Sequence, residues 1–274
     1  MKKGKMKRVA QTGCLLLSAA LLCAAAYVLN AFFGNPVSAY LAERSARAYL
    51  AERYGHLDVE IERFGYNFKT ADYYAFVASD TSVDTHFSVY MRMNGEVRYD
   101  TYDSVTSGWN TWQRLEEEYR ERTNALFDAP DFELRNDIAF GSLELKEESA
   151  YDYQPVPFGI ELQALKLDGE YDVNELAKQA GKIVFYMQDE DVSFETAARG
   201  MLRLKEILDV EGIPFFAMDY VLRLPREEGK PGSGGPTIHV EDFLCSEIYE
   251  DGMAQRVRAA HEALKAFYEE LDTK

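Results

Sequence analysis

Apolar and polar positions change period several times along this chain, and each change marks an element. Residues 14–33 contain no charged side chain. As a helix, about 20 such residues span the ~30 Å hydrocarbon core of a bilayer. Gly34, Asn35 and Pro36 break the run. Residues 37–54 then take a helical period, with Ala42, Ala46, Tyr49 and Arg53 on one stripe and Gly55 as the stop. The period next falls to two. Leu57, Val59 and Ile61 alternate with Asp58, Glu60 and Glu62, and residues 73–79 read as a second strand. Phe87, Val89, Met91 and Met93 alternate with His86, Ser88, Tyr90 and Arg92. Asn94-Gly95 is a strong hairpin signal, and Val97, Tyr99 and Thr101 continue beyond it. Asn110 with Gln113 fits a capping box, and the following helix carries Trp112, Leu115, Tyr119 and Leu126 on one face.

Ala129-Pro130-Asp131 is a plausible junction. After it, residues 138–145 and 160–167 read as strands, separated by a loop over 147–157. A short helix over 174–180 and an apolar strand over 183–188 follow. Ser193 caps a helix that turns Phe194, Ala197, Ala198, Met201 and Leu208 inward, and Gly212 stops it. Phe216, Met218, Tyr220, Leu222 and Leu224 alternate. Residues 226–236 form a flexible loop, and 238–248 return as a strand. The last helix places Met253, Val257, Ala260, Leu264, Phe267 and Leu271 at spacings of four and three. The pattern predicts an α+β protein. It has a basic tail and transmembrane helix (1–34), a helix–four-strand meander–helix domain (36–128) and a second mixed α+β domain (131–274).

Charge adds topology. Lys2, Lys3, Lys5, Lys7 and Arg8 precede the apolar run, so the N-terminus is expected in the cytoplasm and the remainder outside, as a single-pass signal anchor in a cell membrane. Ala24, Ala25 and Ala26 offer a rival cleavage site. Cleavage there would leave residues 27–33 as an apolar terminus, so the uncleaved anchor is preferred. The whole chain carries a formal charge of -17, and the part beyond the tail is more acidic still. That balance argues against nucleic acid, whose phosphates need Lys and Arg, and against flat adhesion to anionic lipid. Of three cysteines, Cys14 and Cys23 lie in the apolar run. Cys245 is left alone, without a disulfide partner, and is expected to be a core thiol.

Candidate chemistry is sparse. Ser233-Gly-Gly-Pro236 is a fragment of a trypsin-like nucleophile loop, but Gly232 stands where the preceding aspartate belongs, and His56, His86 and Asp103 lack matching context. Asp189, Glu190 and Asp191 precede a helix N-terminus, where the dipole favours them, and lack the spacing of a calcium loop. His239 and Glu241 share a strand face without a third ligand. No CxxC, HExxH, GxGxxG or GxxxxGK[ST] pattern occurs. No catalytic residue, metal ligand or cofactor is therefore predicted.

The outer face of the first meander is the most promising surface. Strict alternation places Tyr74, His86, Tyr90, Arg92, Arg98, Asp100 and Tyr102 away from Phe87 and Val89. Exposed aromatics with arginine characterise contact surfaces.

Phe64-Gly-Tyr-Asn-Phe-Lys69, the stretches 72–79 and 83–87, and Tyr99-Asp-Thr-Tyr-Asp-Ser-Val-Thr-Ser-Gly-Trp-Asn-Thr111 with 114–120 beyond it resemble the YfjL-like proteins of Gram-positive bacteria. The resemblance covers residues 35–125 well and the rest loosely. It implies one membrane anchor and a two-part outer region, and it brings no known activity and no catalytic residue. The helix-then-meander order is also similar to that of PepSY and cystatin-like inhibitory domains. The expectation is a membrane-anchored extracytoplasmic protein that binds a protein, peptide or envelope component. The alternative is an envelope hydrolase built on two facing carboxylates with no local signature.

Overall fold

The computed structural model describes the backbone of residues 2–146, 158–225 and 235–272. The loops predicted over 147–157 and most of 226–236, with Ser233, lie outside the described residues.

The chain divides into two compact units, Met1–Asn110 and Thr111–Lys274. The first opens with helix α1 (Lys2–Phe33). Helix α2 (Pro36–Arg53) starts where the sequence dictates: Asn35 is extended and its side chain accepts from Ser38 N–H, while Pro36 takes a position whose N–H needs no partner. Strands β1 (Glu60–Asn67), β2 (Asp72–Ala78), β3 (His86–Met91) and β4 (Val97–Asp100) form an antiparallel meander in the order β1-β2-β3-β4. The four-strand prediction holds, with one shift. Pairing begins at Glu60, so Leu57 and Val59 pack on the core from an unpaired segment. Ala42, Ala46 and Leu50 of α2 bury against Ala75, Val77, Phe87, Val89 and Met91 on one face of the sheet.

A short helix α3 (Asp103–Thr106) precedes α4 (Trp109–Phe127). The predicted capping box does not form, because α4 begins at Trp109 and Asn110 already lies inside it. The Asn110 amide instead donates to the carbonyls of Asp84 and His86. The helix read as closing the first domain lends its inward face to the second unit. Leu115 and Tyr119 are fully buried in that unit's core.

The second unit continues with β5 (Asn136–Leu143), α5 (Val173–Ala180), β6 (Gly181–Gln188), α6 (Phe194–Val210), β7 (Ala217–Arg223), β8 (Thr237–Leu244) and α7 (Met253–Asp272). Its sheet runs β5-β6-β7-β8. The β6–β7 pair is parallel and the two outer pairs are antiparallel. A parallel pair needs a crossover, which α6 supplies. Its Ser193 cap accepts from Thr196 N–H as expected. The predicted strand over 160–167 does not form. Only Ile160 bridges to Leu145, and the chain then turns into a 3-10 helix, Leu162–Ala164. Ile183, Phe185, Met218, Tyr220, Leu222 and Val240 build the core with Met201, Leu204 and Leu208 of α6 and Val257 of α7.

Candidate functional site

The α2 helix covers the Val89 face of the first sheet, so side chains of opposite phase emerge on the other face. Strand register then builds a row across all four strands. Gly65 faces Tyr74, Tyr74 faces Tyr90, and Tyr90 faces Tyr99. The Tyr74 ring lies against Gly65 so closely that a β-carbon there would meet it at 2.8 Å. The Tyr90 and Tyr99 rings stack at 4.6 Å and 21°. Tyr99, at the edge of the sheet, is 50% exposed. A second row sits beside the first: the Arg63 guanidinium lies 4.7 Å from the Phe76 ring centre, and the His86 ring lies 5.9 Å from Phe76.

Tyr74, His86 and Tyr90 thus occupy the predicted outer face. Arg92 lies just past β3, exposed and ion-paired with Glu96 at 2.8 Å. Arg98 is exposed and donates across the sheet to Asp72, whose side chain is only 6% exposed. Arg98 therefore neutralises a buried carboxylate as well as presenting charge.

Asp100 and Tyr102 correct the sequence reading, because both belong to the inner side. Asp100 pairs with Val89, on the α2 side, and Tyr102 packs its ring against Tyr54 and Phe87. The cause is the turn. Gly95 takes a left-handed φ of 86°, and Arg92 and Glu96 flank the loop with a 2.8 Å backbone bond. The register then slips between Tyr90 and Met91, leaving Arg98 as the extra residue. One extra residue reverses every face that follows it. The same slip turns Tyr99 to the outer face opposite Tyr90, and nothing in the residues alone announces the bulge.

Asp100 has its own role on the inner side. Its carboxylate accepts from Tyr49 Oη at 2.5 Å, from Tyr54 Oη at 2.9 Å and from Tyr102 N–H at 3.0 Å. Burial pushes its pKa up, but these donors together with nearby Arg53 outweigh burial and hold it below the ordinary carboxylate range.

The second sheet carries a different charged cluster. Lys182 on β6 reaches Asp242 at 2.8 Å and Asp219 at 3.5 Å. Asp242 N–H donates to Asp219 Oδ1 at 2.7 Å from a left-handed backbone, φ 50°. The Lys182 side chain is 16% exposed, with the Phe158 ring 6.0 Å from its Nζ. Burial lowers the lysine's affinity for its proton, yet the surrounding carboxylates, Asp219 first, raise it overall. Asp219 is pushed above the usual carboxylate range, chiefly by burial, with Lys182 pulling it back. These are the facing carboxylates an envelope hydrolase would require, but both are committed to one lysine. Neither of two described cavities in this unit is lined by them. A groove of about 700 Å³ lies between α4 and α6, lined by Leu126, Phe132, Arg203 and Ile207. A smaller one of about 490 Å³ lies beside Cys245, Lys178 and Lys205.

The remaining candidates resolve into local structure. Asp191 accepts from the hydroxyls of Ser193 and Thr196 as part of the α6 cap, and those bonds lower its pKa. His239 contacts Glu241 at 3.2 Å, and Tyr268 donates to the same carboxylate at 3.0 Å. Cys245 is partly buried against the core, and burial raises its thiol pKa.

Residues 8–101 match the YfjL-like N-terminal domain and residues 118–258 the YfjL-like C-terminal domain. No curated protein and no solved structure matches the chain.

Proposed function

The chain belongs to the YfjL-like family, and from that premise we propose that it is a membrane-anchored, extracytoplasmic binding protein. Its partner is a protein, peptide or envelope component met on the outer face of the first sheet. The observation that carries this reading is the row Tyr74, Tyr90 and Tyr99, whose rings are held in place by strand pairing and stacking. Preorganised aromatic rings bury large area on contact and lose little side-chain entropy. Beside them Arg63, Arg98 and His86 supply donors for a polar rim. Aromatic rings flanked by arginine are the make-up of a recognition surface, which supports this reading. Helix α1 is long and apolar enough to cross a membrane, and its basic start supports an orientation with the rest of the chain outside.

The test is chemical cross-linking on intact membranes, followed by recovery of the full chain. Tyr90→Ala and Tyr99→Ala should each lower recovery of the cross-linked component as expected for a loss of about 1–2 kcal/mol. Both variants should melt like the wild type. Undiminished recovery with both variants sinks the binding face. External protease that spares everything beyond Phe33 on protoplasts would sink the orientation.

A further inference from the structure

The last turn of α1 does not end in a free linker. Tyr73 Oη donates to Asn35 O at 3.0 Å and accepts from Asn35 N–H at 2.9 Å. Tyr66 Oη donates to Ala31 O at 3.2 Å. The Phe32 and Phe68 rings meet at 5.8 Å. Between them Gly34 adopts a left-handed φ of 67°, and a β-carbon there would lie 2.3 Å from Tyr73 Oη. Only glycine suits both the turn and the clamp. Contacts from both β1 and β2 thus tie the exit of α1 to the end of the sheet where the 68–71 turn lies.

That end is apolar and open. Phe33 is 76% exposed and Phe68 53%, with Val37 and Tyr40 of α2 also exposed nearby in the chain. Lys69 stands next to Phe68 at the tip of the hairpin. Exposed Phe and Val at this density on a water-facing surface would be costly. The same residues beside the end of a hydrocarbon-spanning helix form the aromatic and basic belt of a membrane interface. Resting on the reading of α1 as a membrane anchor, we propose that the first sheet is seated on the outer leaflet. The β1–β2 hairpin tip, with Phe33, Val37, Tyr40 and Phe68, is inserted among the lipid headgroups, and Lys69 is at the water boundary. The attraction is apolar, which suits a chain of net charge -17. The clamp then holds the tyrosine row at a fixed height above the membrane.

The experiment uses the full chain reconstituted in phosphatidylcholine vesicles with or without dibrominated acyl chains, which quench nearby tryptophan. Phe68→Trp, Tyr40→Trp, Leu22→Trp and Val83→Trp are each read as the difference from wild-type emission, because Trp109 and Trp112 are native. Val83 lies in the turn between β2 and β3, at the other end of the strands, and serves as the distant site. Brominated lipid should remove about half or more of the added emission at positions 22, 68 and 40 and leave position 83 unchanged. Quenching at 22 with positions 68 and 40 behaving like 83 overturns the seat while leaving the anchor intact. No quenching at 22 overturns the anchor itself, and the seat with it.

Discussion

Asp100 of the first sheet and Asp219 of the second are both partly withdrawn from water, yet their acidities move in opposite directions. Asp100 is met by three neutral donors, two tyrosine hydroxyls and one backbone N–H. Asp219, more deeply buried, is met by one backbone N–H, from Asp242, and by a lysine that it shares with Asp242. The difference teaches that a carboxylate stays ionised through the number and aim of its donors. One cation divided between two acids leaves burial as the dominant influence on Asp219. The pH dependence follows. Asp100 has a lowered folded pKa, so it stabilises the fold above its unfolded value and loses that contribution as pH falls through the folded one. Asp219 has a raised folded pKa, so its favourable contribution is present below its unfolded value and is lost as pH rises through the folded one.

The largest expected effect comes from removing what holds the Asp100 donors in place. Phe87 packs edge-on against Tyr54 at 4.9 Å and Tyr102 at 5.2 Å. Phe87→Ala should cost about 3–5 kcal/mol by leaving a core cavity, measured by denaturant unfolding. It should also raise the Asp100 pKa toward the usual range. A variant with full stability would mean that Phe87 is not the core residue its burial indicates.

Lys182→Met breaks the second cluster while keeping its volume. It leaves two mostly buried carboxylates facing each other, and the expected loss at pH 7 is about 2–4 kcal/mol. Without the lysine, Asp219 is held still further above its unfolded pKa. The loss should therefore shrink as pH falls from 7 toward about 4 and Asp219 takes up its proton. A loss that is constant between these pH values would show that Lys182 acts through packing alone.

Tyr49→Phe keeps the ring and removes one neutral donor to Asp100 together with the hydroxyl's interaction with Arg53. The carboxylate keeps Tyr54 and Tyr102 N–H, so about 1–2 kcal/mol is expected. That loss should be present at neutral pH and disappear in acid, once Asp100 is protonated in both proteins. Persistence of the loss in acid would place the tyrosine's contribution in its ring.

Much of this was legible from residue patterns, and the exceptions share a physical cause. Alternation from His86 to Met91 gave β3 its faces correctly, since burial on one side fixes register. The same alternation carried past Asn94-Gly95 failed, because a bulge adds one residue without changing composition. That single slip misplaced Asp100 and Tyr102 and hid Tyr99. The membrane-length helix, the Ser193 cap and the amphipathic α7 were readable, because each rests on local periodicity or capping. Residues 160–167 contain strand-forming side chains but have only a bridge to pair with. The Lys182 cluster was invisible for another reason: its members lie on three strands, far apart in sequence.

The smallest effect serves as the control on the role of burial. Arg47 pairs with Glu43 at 2.8 Å, four residues apart on the exposed side of α2. Its distance matches that of Lys182 to Asp242. Water surrounds both partners, however, so their attraction is screened and ordering two long side chains offsets most of it. Arg47→Ala should change stability by no more than about 0.5 kcal/mol, less still at high salt. Thermal melts of Arg47→Ala and Lys182→Met in parallel make the contrast quantitative. Equal losses would mean that distance sets the strength of these pairs. A several-fold larger loss at Lys182, growing with pH, assigns it to the withdrawal of charge from water.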